Sequence, residues 1–225
     1  MKGSSISFTT RHAGRALLVA LAFSTTACAT WSAKQKGALA GAAGGAAVGG
    51  VVGNNTGSTA RGAIIGAIVG GTAGAVIGHQ MDQQAKELKL DIPGATVERV
   101  GEGIQVTFAS GLLYDFDSDD IRADAATNLR QLAASLARYP NTELLIVGHT
   151  DSQGSESYNQ DLSARRASAA AAYLSAQGIR LDRMRTSGRG ESEALGTNET
   201  EAGRQINRRI EVAIFAGQAA RAGAK

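Results

Sequence analysis

The chain of 225 residues lacks several features on which small exported or metal-binding domains often depend. It contains one cysteine, which excludes an internal disulfide framework and any zinc site built from paired cysteines. It contains two prolines, and neither lies in the glycine-rich stretch 37–78, where many glycines recur every fourth residue. A collagen-like chain is therefore excluded. We expect packing and hydrogen bonds to hold the fold together, with no cofactor and no metal.

Acidic residues are absent from the first 81 residues, and all 20 of them lie at Asp82 or later. The first 81 residues carry six basic residues, whereas the remainder carries 17 basic residues against those 20 acids. The formal net charge of +3 therefore arises in the N-terminal region, and the rest of the chain is slightly acidic. This distribution argues against a nucleic-acid partner. The chain joins two different compositions near Met81.

Residues 1–27 have the form of a signal peptide. Basic residues at positions 2, 11 and 15 precede the apolar run 16–23, and small residues follow at 24–27. The run is too short to span a bilayer, which needs about 17 to 25 residues. Cys28 stands where a bacterial lipoprotein carries its acylated cysteine, although Thr25 occupies a position at which such signals usually have leucine. Ordinary cleavage after Ala29 is the alternative, and we favour lipidation at Cys28 because a lone cysteine is a liability in an oxidising compartment.

Glycines recur with a period of four from 37 to 57 and again from 62 to 78. This spacing places them on one face of a helix, and in a bilayer such a face lets two helices approach closely. We therefore predict a glycine-zipper helical hairpin over 37–78 that turns at residues 54–61 and associates with a membrane. A flexible glycine and alanine linker is the alternative, but a linker has no reason to keep the register. Residues 79–94 are then expected to form a polar neck, helical from Met81 to Asp91.

Residues 95–217 alternate between strand and helix patterns. Strands are predicted at 97–100, 104–108, 143–147, 184–189 and 209–215, with the third of them in the centre of the sheet. Amphipathic helices are predicted at 120–138 and 157–177. The predicted fold class is α+β, a two-layer sandwich of helices on one mixed β-sheet, preceded by the glycine-zipper hairpin and followed by a tail at 218–225.

Seven strings in this region carry a family resemblance. They are Phe116-Asp117-Ser118, Gly148-His149-Thr150-Asp151, Gly154, the stretch from Tyr158 to Ala167, Gly178-Ile179, Gly188-Arg189-Gly190-Glu191 and the stretch from Asn207 to Glu211. In this order and spacing, residues 104–215 resemble the OmpA C-terminal domain family, which also includes the peptidoglycan-associated lipoprotein and flagellar-motor stator domains. The layout of signal, cysteine, glycine zipper and this domain is similar to that of the YiaD-type lipoproteins.

The resemblance implies noncovalent binding of the diaminopimelate residue in the peptidoglycan stem peptide. This residue ends in a carboxylate and an ammonium on one carbon, so a specific site needs an anion beside a planar cation. Carried over from the family, the ligand pair is Asp151 and Arg166. Six further residues are expected around the pocket: Phe116, Asp117, Thr150, Asn159, Leu162 and Arg208. For residues 207–209 a purely structural role is an equally open interpretation.

The sequence therefore predicts a lipoprotein that tethers a membrane to peptidoglycan. The membrane is expected to be the outer membrane of a Gram-negative bacterium, with the lipoprotein facing the periplasm, and the inner membrane is the alternative. The zipper is expected to allow homo-oligomers. An oligomeric envelope-stress element based on the zipper is a second hypothesis. A cell-wall hydrolase using His149 and Asp151 is a third, although no nucleophile or metal-ligand motif accompanies them. We expect a binding protein and not an enzyme.

Overall fold

A computed structural model describes residues 57–67, 71–115 and 117–222, all within one compact unit of the chain. The predicted signal peptide, Cys28, the glycine run from 37 to 53 and Phe116 lie outside these residues. The described residues form an α+β fold with a mixed sheet, which confirms the predicted fold class.

The sheet has five strands. They are β1 (Ala95–Val100), β2 (Gly103–Ala109), β3 (Thr142–His149), β4 (Met184–Gly188) and β5 (Arg209–Ala216). Their order across the sheet is β1-β2-β5-β3-β4, with β3 and β4 parallel and the other neighbours antiparallel. The centre of the sheet is therefore β5, and β3, which was expected there, lies beside it.

Seven helices accompany the sheet in the described residues. They are α1 (Thr59–Gly66), α2 (Gly71–Asp91), α3 (Ser110–Leu113), α4 (Ala126–Arg138), α5 (Glu156–Ala176), α6 (Glu201–Asn207) and α7 (Gln218–Ala222), with one 3-10 turn at Leu181–Arg183. Helix α4 begins six residues later than predicted. The reason is that Ile121 forms an isolated bridge with Tyr114, and the backbone N–H of Arg122 donates to the carbonyl of Leu113. Residues 121–122 make these contacts in an extended conformation, and they could not make them as part of a helix.

The main hydrophobic core lies between one face of the sheet and helices α2, α4 and α5. Leu129, Leu132 and Leu136 of α4 are buried there, as the predicted periodicity requires. Helix α2 also contributes to this core, through Met81, Ala85 and Leu88, and Ile92 follows directly after its last residue. The segment expected to be a neck is therefore packed against the domain along one face, where the buried Gln84 donates to Oγ of Ser135 at 3.2 Å, and most of its other polar residues are exposed.

Helix α1 covers part of the opposite face of the sheet. Its residues Ala60, Ala63 and Ile64 pack against Val147, Ala213 and Phe215. The close packing of α1 on the sheet depends on Gly103 of β2, because a Cβ built on Gly103 would lie 2.5 Å from Cγ2 of Ile64. A Cβ at position 103 would also lie 2.6 Å from the carbonyl oxygen of Ile214, so a larger residue there would require Ile64 and the neighbouring strand to shift.

The second glycine run differs from the prediction. Residues 59–61, expected in a turn, belong to α1, which ends at Gly66, and α2 begins at Gly71. No described atom lies within 4 Å of a Cβ built on Gly66 or Gly78, so the predicted close packing of backbones is not found there within the described part of the chain. Among the described residues, no helix combines the length and apolar character that crossing a bilayer requires.

Candidate functional site

The candidate site forms where β3 ends and α5 lies across it. A Cβ built on Gly148 would lie 2.1 Å from the carbonyl oxygen of Ser163, so only glycine lets α5 approach β3 this closely. Directly after the strand, the N–H of Thr150 donates to the carbonyl of Gly190 at 2.9 Å, which fixes the start of the next loop. Asp151 follows at once, and Arg166 lies three residues after Ser163 on α5. The close approach therefore determines where both predicted ligand residues are held.

Asp151 is buried and already has a cationic partner. Its Oδ2 accepts a hydrogen bond from Nη1 of Arg208 at 2.5 Å, and its Oδ1 accepts from the backbone N–H of Gln153 at 3.0 Å. Arg208 also forms an ion pair with the exposed carboxylate of Glu201. Asp151 is 5% exposed, whereas a carboxylate that binds a ligand was expected at the surface. The salt bridge with Arg208 offsets the desolvation cost of burying the Asp151 carboxylate.

Arg166 is equally buried, and the backbone around it orients the side chain. Its Nε donates to the carbonyl of Ser118 at 2.8 Å, and its Nη2 reaches the carbonyl of Asp115 at 3.4 Å. Its guanidinium carbon lies 5.3 Å from the ring centroid of Tyr114, whose hydroxyl donates to the Arg166 carbonyl. Burial lowers the pKa of Arg166, and no carboxylate of the described residues forms an ion pair with it. In the described part of the chain this guanidinium therefore has no ion-pair partner, although the nearby charges of Asp117 and Asp119 partly offset the effect of burial on its pKa.

Arg166 and Arg208 line the same cavity, which has a volume of about 300 Å³. The other lining residues are Ser110, Gly111, Tyr114, Asp115, Gln153 and Glu201. Burial lowers the pKa of Arg208, but the hydrogen bonds to Glu201 and Asp151 outweigh it, so that its pKa is raised overall. The hydrogen bonds from Arg208 and Arg204 lower the pKa of Glu201. The cavity lining thus includes the guanidiniums of Arg166 and Arg208 and the carboxylates of Asp115 and Glu201, whereas Asp151 is not a lining residue and adjoins the cavity through its salt bridge with Arg208. This mixture of charges is suited to a zwitterionic ligand.

The other predicted pocket residues have different positions. Asn159 is 2% exposed, and its Nδ2 donates to the Asp151 carbonyl at 3.2 Å and to Glu191 at 2.7 Å, so it positions Asp151. Thr150 and Leu162 are buried and do not line the cavity. Asp117 is exposed, has a positive φ of 56°, and accepts a hydrogen bond from the Tyr158 hydroxyl. This hydrogen bond raises the pKa of Tyr158.

Six lining residues were not predicted as part of the site: Ser110, Gly111, Tyr114, Asp115, Gln153 and Glu201. Tyr114 stands two residues before Phe116, so its proximity to a recognised string was a usable signal. Nothing in the sequence marks Ser110, whose buried hydroxyl has no hydrogen-bond partner in the described part of the chain. Glu201 begins a short helix whose placement depends on tertiary contacts.

His149, the basis of the hydrolase hypothesis, points away from this cavity. It is 1% exposed, and neither ring nitrogen has a hydrogen-bond partner among the described residues. Burial, with smaller contributions from Arg209 and Arg189, holds its pKa well below the usual value. Within residues 57–67, 71–115 and 117–222, no three histidine, cysteine or carboxylate side chains are grouped as metal ligands.

Two family models match the chain. The model of the OmpA family matches residues 113–208, which include the whole cavity lining except Ser110 and Gly111. The model of the YMGG-like Gly-zipper matches residues 10–82. The two matches cover the two regions of different composition, which meet near Met81.

Relatives and a solved structure agree with these matches. The chain is 33% identical to the Probable lipoprotein YiaD of Escherichia coli over 139 residues, covering 61% of this chain and 64% of that protein. It is 34% identical to the Peptidoglycan-associated lipoprotein of Agrobacterium fabrum over 137 residues, covering 61% and 77%. The chain thus spans less than two thirds of the first relative. The cell wall anchor of the T6SS from Pseudomonas aeruginosa is similar in structure, with a TM-score of 0.53 and 28% identity over 60% of this chain and 96% of that one.

Proposed function

We propose that this chain, which belongs to the OmpA family, is a cell-envelope lipoprotein that binds peptidoglycan noncovalently in the cavity lined by Arg166 and Arg208. The observation that carries the proposal is the pair of guanidiniums in one cavity of about 300 Å³, with the carboxylate of Asp151 hydrogen-bonded to one of them. The names of the relatives, a peptidoglycan-associated lipoprotein and a cell wall anchor, support the same ligand.

The ligand that fits this arrangement is the free end of diaminopimelate in the stem peptide. A guanidinium has five N–H groups, and Arg166 uses two of them on backbone carbonyls, so others remain for a ligand carboxylate. Arg208 can supply a second cation to that carboxylate, because Glu201 offers it an alternative partner. The ligand ammonium then takes the place of Arg208 beside Asp151. Each charged group of the ligand is matched by an opposite charge that the fold already holds in position.

The direct test measures binding of the full chain carrying Cys28→Ser to purified sacculi that contain diaminopimelate. Arg166→Ala and Asp151→Asn are expected to lose about ten- to a hundredfold in affinity, since each removes one charge-assisted hydrogen-bond partner of the ligand. Arg165→Ala is the matched control, because Arg165 is the neighbouring residue of α5 and forms an exposed ion pair with Asp119 at 3.3 Å. Sacculus binding that is equal in Arg166→Ala and Arg165→Ala would refute the assignment.

The membrane attachment remains part of the proposal. Acylation of Cys28 would hold the chain on the outer membrane of a Gram-negative bacterium, facing the periplasm, and the lipoprotein names of the relatives support it. Two signals are needed for stable attachment, and several acyl chains on one cysteine meet that need. Helix α1 packs against the sheet, so oligomerisation through the zipper would depend on glycines of residues 37–78 other than those of α1.

A further inference from the structure

A cluster of buried charges lies on the sheet face that α1 covers. It contains Arg209, Glu211 and Glu193, whose side chains are 2%, 0% and 14% exposed. Buried charges are stable only when their hydrogen-bonding capacity is satisfied, so each partner in such a cluster matters for the position of the others. Two of the three charges have partners that come from the residues at the start of α1.

Ser58 and Thr59 supply these partners. The hydroxyl of Ser58 donates to Oε2 of Glu211 at 2.7 Å. Both the backbone N–H and the hydroxyl of Thr59 donate to the carboxylate of Glu193, the N–H at 3.0 Å. The Thr59 hydroxyl in turn accepts from Nε of Arg189 at 2.7 Å. These two residues of the glycine-rich region are thus inserted into the charge cluster of the OmpA-family domain. We call Ser58 and Thr59, together with Glu193 and Glu211, the latch.

Arg209 links the latch to the ligand cavity. Its Nε donates to Glu211 at 2.7 Å, and its other nitrogens donate to the carbonyls of Asn207 at 3.2 Å and Glu193 at 3.0 Å. The two carbonyls that Arg209 holds lie on either side of the segment 194–206. Arg208, which binds Asp151, stands between Asn207 and Arg209 in the chain.

The buried side chain of Asn207 extends this link to the loop beside Asp151. Its Oδ1 accepts from the N–H groups of Leu195 and Gly196, both at 2.8 Å. Its Nδ2 donates to Oδ1 of Asn198 at 2.8 Å, and the same oxygen accepts from the N–H of Ser152 at 3.3 Å. Ser152 directly follows Asp151. Hydrogen bonds and short stretches of backbone therefore connect the start of α1 to Asn207 and Ser152, the chain neighbours of Arg208 and Asp151.

We propose that Ser58 and Thr59 are positioning residues for the peptidoglycan site, so that docking of α1 on the sheet strengthens peptidoglycan binding. This inference rests on the proposed function. Docking fixes the carboxylates of Glu193 and Glu211. The Glu211 carboxylate and the backbone carbonyl of Glu193 hold Arg209, and Arg209 in turn fixes the backbone that carries Arg208. The segment that joins the glycine-rich region to the wall-binding domain is in this way also a part of the binding apparatus.

Thr59→Val tests the latch with little change in shape. Valine has nearly the volume of threonine and keeps the backbone N–H bond to Glu193, but it removes the hydroxyl that bonds Glu193 and Arg189. Thr59→Ser keeps the hydroxyl and is the conservative rescue variant. Arg61→Ala is the matched control on the same helix, because Arg61 forms an exposed ion pair with Glu98 that does not belong to the latch.

Two measurements are made on the full chain carrying Cys28→Ser. In Thr59→Val, affinity for sacculi is expected to fall by about two- to thirtyfold, the range reported for residues that couple sites without contacting the ligand. In the absence of peptidoglycan, the backbone amides of Ser152, Leu195 and Gly196 are expected to exchange hydrogen faster in Thr59→Val than in the unsubstituted chain. Thr59→Ser and Arg61→Ala should resemble the unsubstituted chain in both measurements.

The outcomes separate this inference from the proposed function. Unchanged sacculus affinity or unchanged exchange at those amides in Thr59→Val overturns the latch, as does an equal loss of affinity in Arg61→Ala. The proposed function fails in a different way, when Arg166→Ala binds sacculi as well as the unsubstituted chain does. Loss of binding in Arg166→Ala together with normal behaviour of Thr59→Val would leave the function standing and reject the latch.

Discussion

Arg208 and Asp151, 57 residues apart in the chain, form a salt bridge at 2.5 Å in which the carboxylate is 7% exposed and the guanidinium 27%. The anion assigned to the ligand ammonium thus has a cation of the protein itself as its partner. Ligand binding at Asp151 is therefore an exchange of one cation for another, and the fold already compensates the burial of the carboxylate before any ligand arrives.

The first prediction concerns the stability that this salt bridge contributes. Asp151→Ala removes the acceptor of Arg208 and of the Gln153 N–H, and we expect the free energy of unfolding to fall by about 1 to 3 kcal/mol. Urea denaturation followed by circular dichroism measures this change. The same measurement on Asp161→Ala is the control, because Asp161 is exposed on helix α5. An equally small effect of both substitutions would show that the salt bridge is dispensable for folding.

The second prediction distinguishes the shape of the Arg166 side chain from its charge. Lysine keeps the charge but lacks the planar fork that can bind backbone carbonyls and a ligand carboxylate together. We expect Arg166→Lys to bind sacculi nearly as weakly as Arg166→Ala, about tenfold or more below the unsubstituted chain. Arg165→Lys should bind normally. Full binding by Arg166→Lys would mean that a point charge is sufficient.

The third prediction concerns pH and His149. Its folded-state pKa lies well below the ordinary value of 6.5, because the ring is buried near Arg209 and Arg189. The carboxylates of Glu193 and Glu211 are 3.9 and 3.8 Å from the ring nitrogens, beyond hydrogen-bond range, and each is paired with an arginine. Below pH 6.5 the unfolded chain therefore binds a proton that the folded chain does not. The free energy of unfolding should decrease as the pH falls through this range, by up to about 1.4 kcal/mol per pH unit.

Replacing single histidines checks the origin of that slope. His149→Gln should flatten the dependence of unfolding free energy on pH between 7 and 5, whereas replacement of the exposed His79 by glutamine should leave it as it is. A slope that persists in His149→Gln would assign the proton uptake to other groups.

The fourth prediction tests whether α2 belongs to the folded domain. Leu88 is fully buried in the main core and Leu90 is 85% exposed on the same helix. Leu88→Ala should lower the free energy of unfolding by about 2 to 5 kcal/mol. Leu90→Ala should change it by less than about 0.5 kcal/mol. Similar small effects in both variants would mean that this segment is a neck outside the cooperative unit after all.

The fifth prediction concerns Cys28. If it is acylated, the intact mass of the protein extracted from membranes should correspond to a chain that begins at Cys28 and carries acyl chains. Cys28→Ser should release the protein into the soluble fraction or block processing. A mature N-terminus at Thr30 would contradict the prediction and indicate ordinary cleavage after Ala29.

Sequence patterns predicted well those helices whose ends are determined by residues next to them in the chain. Helix α5 was placed within one residue at either end, because Ser155 caps its start and Gly178, with a positive φ, follows its end. Helix α4 was placed too early, since the contact of Ile121 with Tyr114 is not visible in helical periodicity.

Features that depend on distant residues were not predictable in the same way. The alanines and isoleucine of α1 fit a membrane helix as well as a helix on a sheet, and only their contact with Ala213 and Phe215 decides between these roles. The resemblance placed Asp151 and Arg166 at the site. It did not show that Asp151 is paired with Arg208, because nothing in the spacing of these residues records that contact.

The position of β5 has a consequence for how the chain is made. It is the last strand in the sequence, and it pairs with both β2 and β3 in the centre of the sheet. Until residues 209–216 have been synthesised, the hairpin of β1 and β2 has no ladder to the parallel pair of β3 and β4. The carboxylate that accepts from Ser58 also lies 153 residues beyond it. The sheet is therefore complete only after residues 209–216 have been synthesised, and in a nascent chain stopped before residue 209 the β1–β2 hairpin and the β3–β4 pair lack the strand that joins them.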